Sequence, residues 1–226
     1  YPYPGQYRIQ IVADDGFDAV RLADVDSTIT RVDQWAPQHR VGASGAGFTG
    51  TDMRYLLSGQ NSCVTIPSFK YTDLTNIDYA FFNCTNLDLT VDWVPTVLPE
   101  VTSMENAFWG IATQSGAGFD RSKFPQFETS DKLTNIPGVF YSAYLSGFVD
   151  KNGNKTLFPF TNTSKVTNWF RAFALNTFTE IGQLDTSSAT TLSSTFSNCK
   201  QLLAMPPIQT GTVTSFLSTW QDCVSL

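Results

Sequence analysis

His39 is the sole histidine of the chain, so any Ser-His-Asp or Cys-His catalyst would have to be built on it. It stands in Ala36-Pro37-Gln38-His39-Arg40, a loop-type segment, and no G-x-S-x-G nucleophile element accompanies it. That context gives His39 a solvated structural role. Asp and Glu total 20, but nothing in their spacing selects the facing pair that glycoside hydrolysis needs. The four cysteines include no C-x₂-C pair, which argues against a zinc site. Asp150-Lys151-Asn152-Gly153-Asn154 opens like a calcium loop, yet Lys155 stands at the sixth position and Thr161 at the twelfth. Glycine and a bidentate glutamate are required there. A hairpin turn on Asn152-Gly153 is the better reading. The expectation is therefore no enzyme, no cofactor and no metal.

The elements that must position these residues come from a repeat. The pattern [V/L/A]-T-[N/S/T]-x-x-x-x-[F/W] recurs as Leu74-Thr75-Asn76 with Phe81, Val101-Thr102-Ser103 with Phe108, and Leu133-Thr134-Asn135 with Phe140. It recurs again as Val166-Thr167-Asn168 with Phe173, Ala189-Thr190-Thr191 with Phe196, and Val213-Thr214-Ser215 with Trp220. A degenerate copy, Val41-Gly42-Ala43 with Phe48, precedes them; a rival register takes Thr51 and Leu57 as a short extra repeat. A period of this order marks a stacked-repeat protein, in which neighbours together bury a core that no single unit can bury alone. Cys84, Cys199 and Cys223 each follow the aromatic by three residues, and Leu87, Leu202 and Leu226 follow by three more. That spacing suits a short helical or 3₁₀ segment, and it predicts buried free thiols rather than an inter-repeat disulfide. Proline or glycine (Pro67, Pro95, Pro125, Pro159, Gly182, Pro206) then precedes an extended stretch ending in a T-S or T-G turn.

The predicted fold is thus an α/β repeat solenoid of about seven irregular repeats, with parallel strands and short helical or 3₁₀ turns. Stacking should align Phe48, Phe81, Phe108, Phe140, Phe173, Phe196 and Trp220 into an internal ladder. Asn76, Asn135 and Asn168 should pair their amides along the stack, with Ser103 and Ser215 as shorter substitutes.

Composition sets the outer limits. The chain has 226 residues, 42% of them hydrophobic and 14% aromatic, which is ample for a core. Only 15% are charged and the formal net charge is −6. Nucleic acid is excluded as a partner, because binding phosphates needs clustered Lys and Arg. No apolar run reaches the length of a membrane span. The sequence does not begin with Met and stops in mid-repeat, so a piece of a longer protein is expected.

The repeat resembles the BspA-like leucine-rich repeats of bacterial surface proteins, on Phe196-x-x-Cys199-x-x-Leu202 and Leu184-Asp185-Thr186-Ser187 above all. The resemblance covers residues 29–226, with Ile111, Ala143 and Asn176 replacing the cysteine in three repeats. Residues 1–28 would be a linker and the end of a PKD-like β-sandwich, on Tyr3-Pro4-Gly5-Gln6-Tyr7-Arg8-Ile9-Gln10-Ile11. The resemblance implies extracellular display and adhesion to a protein or glycan. The alternative it implies is a virion component, such as a phage tail-fibre or receptor-binding segment.

Insertions suggest where a ligand binds, because in a solenoid they emerge on one side. The repeats after Phe108 and Phe140 are longer than the last two. Their loops, Trp109 to Ser122 and Tyr141 to Thr156, are the candidate binding segments. The residues chosen are Trp109, Gln114, Phe119, Asp120, Arg121, Tyr141, Tyr144, Phe148, Asp150, Asn152 and Asn154.

Overall fold

The computed structural model describes residues 52–63, 74–87, 97–111, 122–150 and 152–226. The expected β-sandwich end at 1–28, His39 and the Val41–Phe48 repeat lie outside these residues. A chain of parallel one-residue bridges runs Asp52, Asn76, Ser103, Asn135, Asn168, Thr191, Ser215. Each is the residue after the pattern's Thr, so the bridges join equivalent points of successive repeats. The first of them shows the rival register at work. Asp52 bridges Asn76, and Leu57 holds the place that Phe81 holds one repeat later.

No helix occurs among the described residues; the segments expected to be helical are runs of β-turns. Between Ile77 and Cys84 the backbone N–H groups alternate in direction. Those of Ile77, Tyr79, Phe81 and Asn83 donate to the next rung, at Ser103, Glu105, Ala107 and Trp109. Those of Ala80, Phe82 and Cys84 donate three residues back, to Ile77, Tyr79 and Phe81. A helix would send every N–H four residues back and leave none for a neighbour. The ladder keeps the three-residue inward spacing of a helix yet pairs the whole backbone, as burial requires.

Such turns need a left-handed residue at their third position, which makes them type II. Tyr79 (φ 57°) and Asn83 (φ 55°) serve there in one rung, and Asn106 and Gly110 in the next. Gly138 and Ser142, Arg171 and Leu175, Ser194 and Asn198, and Ser218 and Asp222 follow. Most carry a Cβ, at a cost of roughly 1–3 kcal/mol each. In the rungs from Tyr79 to Asn198, hydrogen bonds to both neighbouring rungs hold them in place.

The motif threonine has a clear task. Thr102, Thr134, Thr167, Thr190 and Thr214 each donate both N–H and hydroxyl to the carbonyl of the equivalent Thr one rung earlier. The neighbouring column does not form the expected amide ladder. Asn135 donates to Ser103 Oγ, but Asn76 and Asn168 accept from the backbone N–H of Asp78 and Phe170, closing local turns.

Inside, Phe81, Phe108, Phe140, Phe173 and Phe196 are buried, with successive ring centroids 5.6, 5.5, 5.9 and 5.6 Å apart. Trp220 is only partly buried, stacks on Phe216 and has a buried Nε1 without a hydrogen-bond partner. Phe48 lies outside the described residues. A second wall of rings closes the core. Phe124 meets Phe108 and Phe140 edge-on, and Phe127 stacks on Phe160.

That second wall belongs to a second column of short strands. β1 (Val97–Leu98) pairs in parallel with β3 (Glu128–Thr129). β2 (Phe124–Pro125) pairs in parallel with β4 (Phe148–Val149), and β4 turns back antiparallel onto β5 (Lys155–Thr156). The inserted segment after Tyr141 is therefore a hairpin that adds strands to this column. No helix among the described residues is long and apolar enough to cross a membrane.

Candidate functional site

The expected contact residues fall into three places. Phe148 is 2% exposed and packs on Phe124 and Phe140, so it belongs to the core and offers nothing to a ligand. The insert is anchored by this ring, because β4 must bury one face against the rung beneath it. Trp109 and Tyr141 sit on the outer surface of their rungs. Asp150, Asn152 and Asn154 form the hairpin tip, and Tyr144 is exposed between the two groups. Gln114, Phe119, Asp120 and Arg121 lie outside the described residues.

The hairpin tip is held by its own hydrogen bonds. Asp150 Oδ1 accepts from the N–H groups of Asn152 and Asn154, and Oδ2 accepts from Asn154 Nδ2. The Asp150 and Gly153 N–H groups donate to Asn154 and Asp150 carbonyls, with Gly153 at φ 79°. These donors, the Asn154 side chain foremost, hold the Asp150 carboxyl below its usual range. The tip is thus a preformed turn that keeps the Asp150 carboxylate ionised. A bonding pattern turned inward on N–H donors is that of a closed turn.

This turn stands over the second column and makes a groove of about 550 Å³, within the usual size of ligand sites. Val97, Pro99 and Thr161 line it with Gln126, Glu128, Thr129 and Ser130, and Asp150 and Asn152 close it at the hairpin. Several of these polar groups are committed to the frame. Gln126 Nε2 donates to the Phe158 carbonyl, Thr129 Oγ1 to Asn162 and Ser130 Oγ to Pro99. They fix the walls. The carboxylates of Glu128 and Asp150, which also have partners within the chain, and the carboxamide of Asn152 bring acceptors and donors to the same space, with Val97, 45% exposed, as an apolar contact. The arrangement suits hydrogen bonding to a polar ligand. No group of three or more His, Cys, Asp or Glu with metal-binding geometry occurs among the described residues.

The outer surface carries a second cluster. Tyr79, Phe82, Trp109 and Tyr141 form a chain of ring contacts, the tightest being Trp109 to Tyr141 at 4.0 Å between centroids. Tyr55 stacks on Tyr79 at 4.9 Å, and the Arg171 guanidinium lies 5.7 Å from the Tyr141 ring centre. Of this cluster the sequence singles out only Trp109 and Tyr141, as residues of the inserted loops. Aligning the residue after each core aromatic would have found Phe82 as well.

The cysteines have no part in either cluster. All four are free. Cys84, Cys199 and Cys223 donate their thiols to the carbonyls of Leu57, Phe173 and Phe196, one rung earlier at the core-aromatic position. Burial pushes the Cys84 thiol up and Cys199 up to about 12. Asn176 replaces Cys in its rung and makes the same bond, from Nδ2 to Phe140.

Comparison of the chain with protein-family models, curated proteins and solved structures gives no match.

Proposed function

We propose that this chain is a non-enzymatic recognition module displayed outside the cell, a repeat solenoid of leucine-rich-repeat type that binds a protein or glycan. One observation carries the reading: the inserted hairpin, fixed by Phe148, sets Asp150 and Asn152 over the strand column to form the groove. A lining of hydroxyl, amide and carboxylate groups suits a hydroxyl-rich or amide-rich ligand. The rigid walls lower the ordering cost of binding. The BspA-like residue pattern supports the adhesive role.

The test is a glycan and host-protein array probed with the intact chain and with an Asp150→Ala/Asn152→Ala variant. Loss of binding with the fold retained is the expected result, the melting temperature falling only by what the hairpin's own bonds contribute. Equal binding by the variant would remove the groove from the function.

A further inference from the structure

The outer aromatic cluster is not required by the repeat. At the position after each core ring the chain places Phe82, Trp109 and Tyr141 in three consecutive rungs. At the same position the other rungs place Ser58, Ala174, Ser197 and Gln221. The rungs of Ser58, Ala174 and Ser197 keep the same turns and the same inter-rung bonds, although Ala174 is buried. The turns and bonds of the frame therefore do not demand a ring at this position, and three large rings in a row call for another role.

Ring geometry narrows the partner. Rings on successive rungs lie against one another, with Phe82 to Trp109 at 5.6 Å and Trp109 to Tyr141 at 4.0 Å. Arg171 covers Tyr141 from the next rung. Faces are thus largely occupied by neighbours. A sugar stacks its C–H face on a free ring face, so this belt is poorly suited to a glycan. Aromatic side chains together with arginine are enriched in the cores of protein interfaces. Mutual stacking also fixes the rings beforehand and lowers the entropy cost of binding.

Charge narrows it further. Tyr79 donates its hydroxyl to Glu105, and Asp78 sits on the rung before, bonded to the Ser103 hydroxyl and the Glu105 N–H. Two carboxylates therefore border the belt at its Tyr79–Phe82 end, with Arg54 near Asp78 and Arg171 at the Tyr141 end, and the whole chain carries −6. The Glu105 side of the belt attracts cations and repels acidic groups.

We propose that the belt of Phe82, Trp109 and Tyr141, bordered by Tyr79 and Glu105, is a second docking surface, for a protein segment whose apolar side chains are flanked by lysine or arginine. It is separate from the hairpin groove and rests on different residues.

The test uses the full chain and synthetic peptides with a Leu/Phe/Trp centre flanked by Lys/Arg, by Asp/Glu or by neither. Phe82→Ser/Trp109→Ser/Tyr141→Ser installs a residue that two other rungs already carry there, and its melting curve checks folding. Glu105→Gln changes charge alone and keeps an oxygen for Tyr79. Basic-flanked peptides should bind best and weaken as salt rises. The triple variant should lose about tenfold or more in affinity, and Glu105→Gln should narrow the preference for basic flanks. Should the triple variant fail to fold, single Trp109→Ser carries the same expectation. The proposal is overturned if no basic-flanked peptide binds, if acidic-flanked peptides bind as well, or if the folded variant binds unchanged. A glycan-array signal lost in the triple variant also overturns it. The Asp150→Ala/Asn152→Ala variant should leave peptide binding unaltered, which keeps the two sites distinguishable.

Discussion

A buried side chain in this protein works mostly by serving a neighbouring rung. Asn176 shows this best. Its amide donates to Phe140 and Phe173, and its oxygen accepts from the Leu145 N–H. Asn176→Ala should cost about 1–3 kcal/mol for the groups it orphans. Asn176→Cys should recover part of that, because Cys199 and Cys223 make the equivalent bond. Urea unfolding of the two variants checks the order. Cys199 also sets an alkaline limit. Its pKa rises from 9.0 to about 12 by burial, so its contribution is complete below about pH 9. It is lost as pH climbs towards 12, where the folded thiol ionises. Base titration should show Cys199→Ala less sensitive than the parent in that window. The cysteine spacing was plain in the sequence, whereas the thiol–carbonyl bond was not, since spacing says which way a side chain points and not what it meets.

At the scale of the element, the turn ladder replaces the helix that the apolar spacing suggested. Inward residues such as Ile77, Ala80, Cys84 and Leu87 recur every three or four positions in either case, so periodicity cannot separate the two. The telling signal was the residue choice. Asn, Gly and Ser at Asn83, Gly138 and Ser142 are turn formers at left-handed positions. Gly138 is the most constrained of them, as an added Cβ would lie 2.0 Å from Asn106 Oδ1. Gly138→Ala should therefore destabilise by more than about 1 kcal/mol. Ser194→Gly should do the opposite, stabilising by up to about 1 kcal/mol, since its φ is 56°. Equal thermal midpoints for these two variants would contradict the ladder. The hairpin is legible from Asn152-Gly153, but the sequence places Phe148 in a surface loop, whereas its ring is buried in the core. Its partner wall, Phe124, Phe127 and Phe160, comes from segments without the repeat's signature.

For the whole molecule, contacts run chiefly between adjacent rungs, and that governs how damage spreads. Phe140 lies between Phe108 and Phe173. Phe140→Ala should cost about 3–5 kcal/mol, the usual large-to-small penalty. Because each unit leans on its neighbours, hydrogen exchange should quicken most in 101–111, 133–143 and 166–176. It should quicken least in 213–226. A uniform increase along the chain would argue against nearest-neighbour coupling. Recurrence of the aromatic and the threonine was readable from residue order alone. The groove was not, because it depends on where a hairpin insert comes to rest over strands that are distant in sequence.

The left-handed turns have a consequence for how such a protein changes over generations. Conformation there is imposed by hydrogen bonds from the rungs on either side, so Tyr79, Asn106, Arg171 and Ser194 all fit equivalent corners. Scaffold and coat are thus under separate selection. A lineage can repaint its exterior, one corner at a time, and meet a new target while the interior stays as it was.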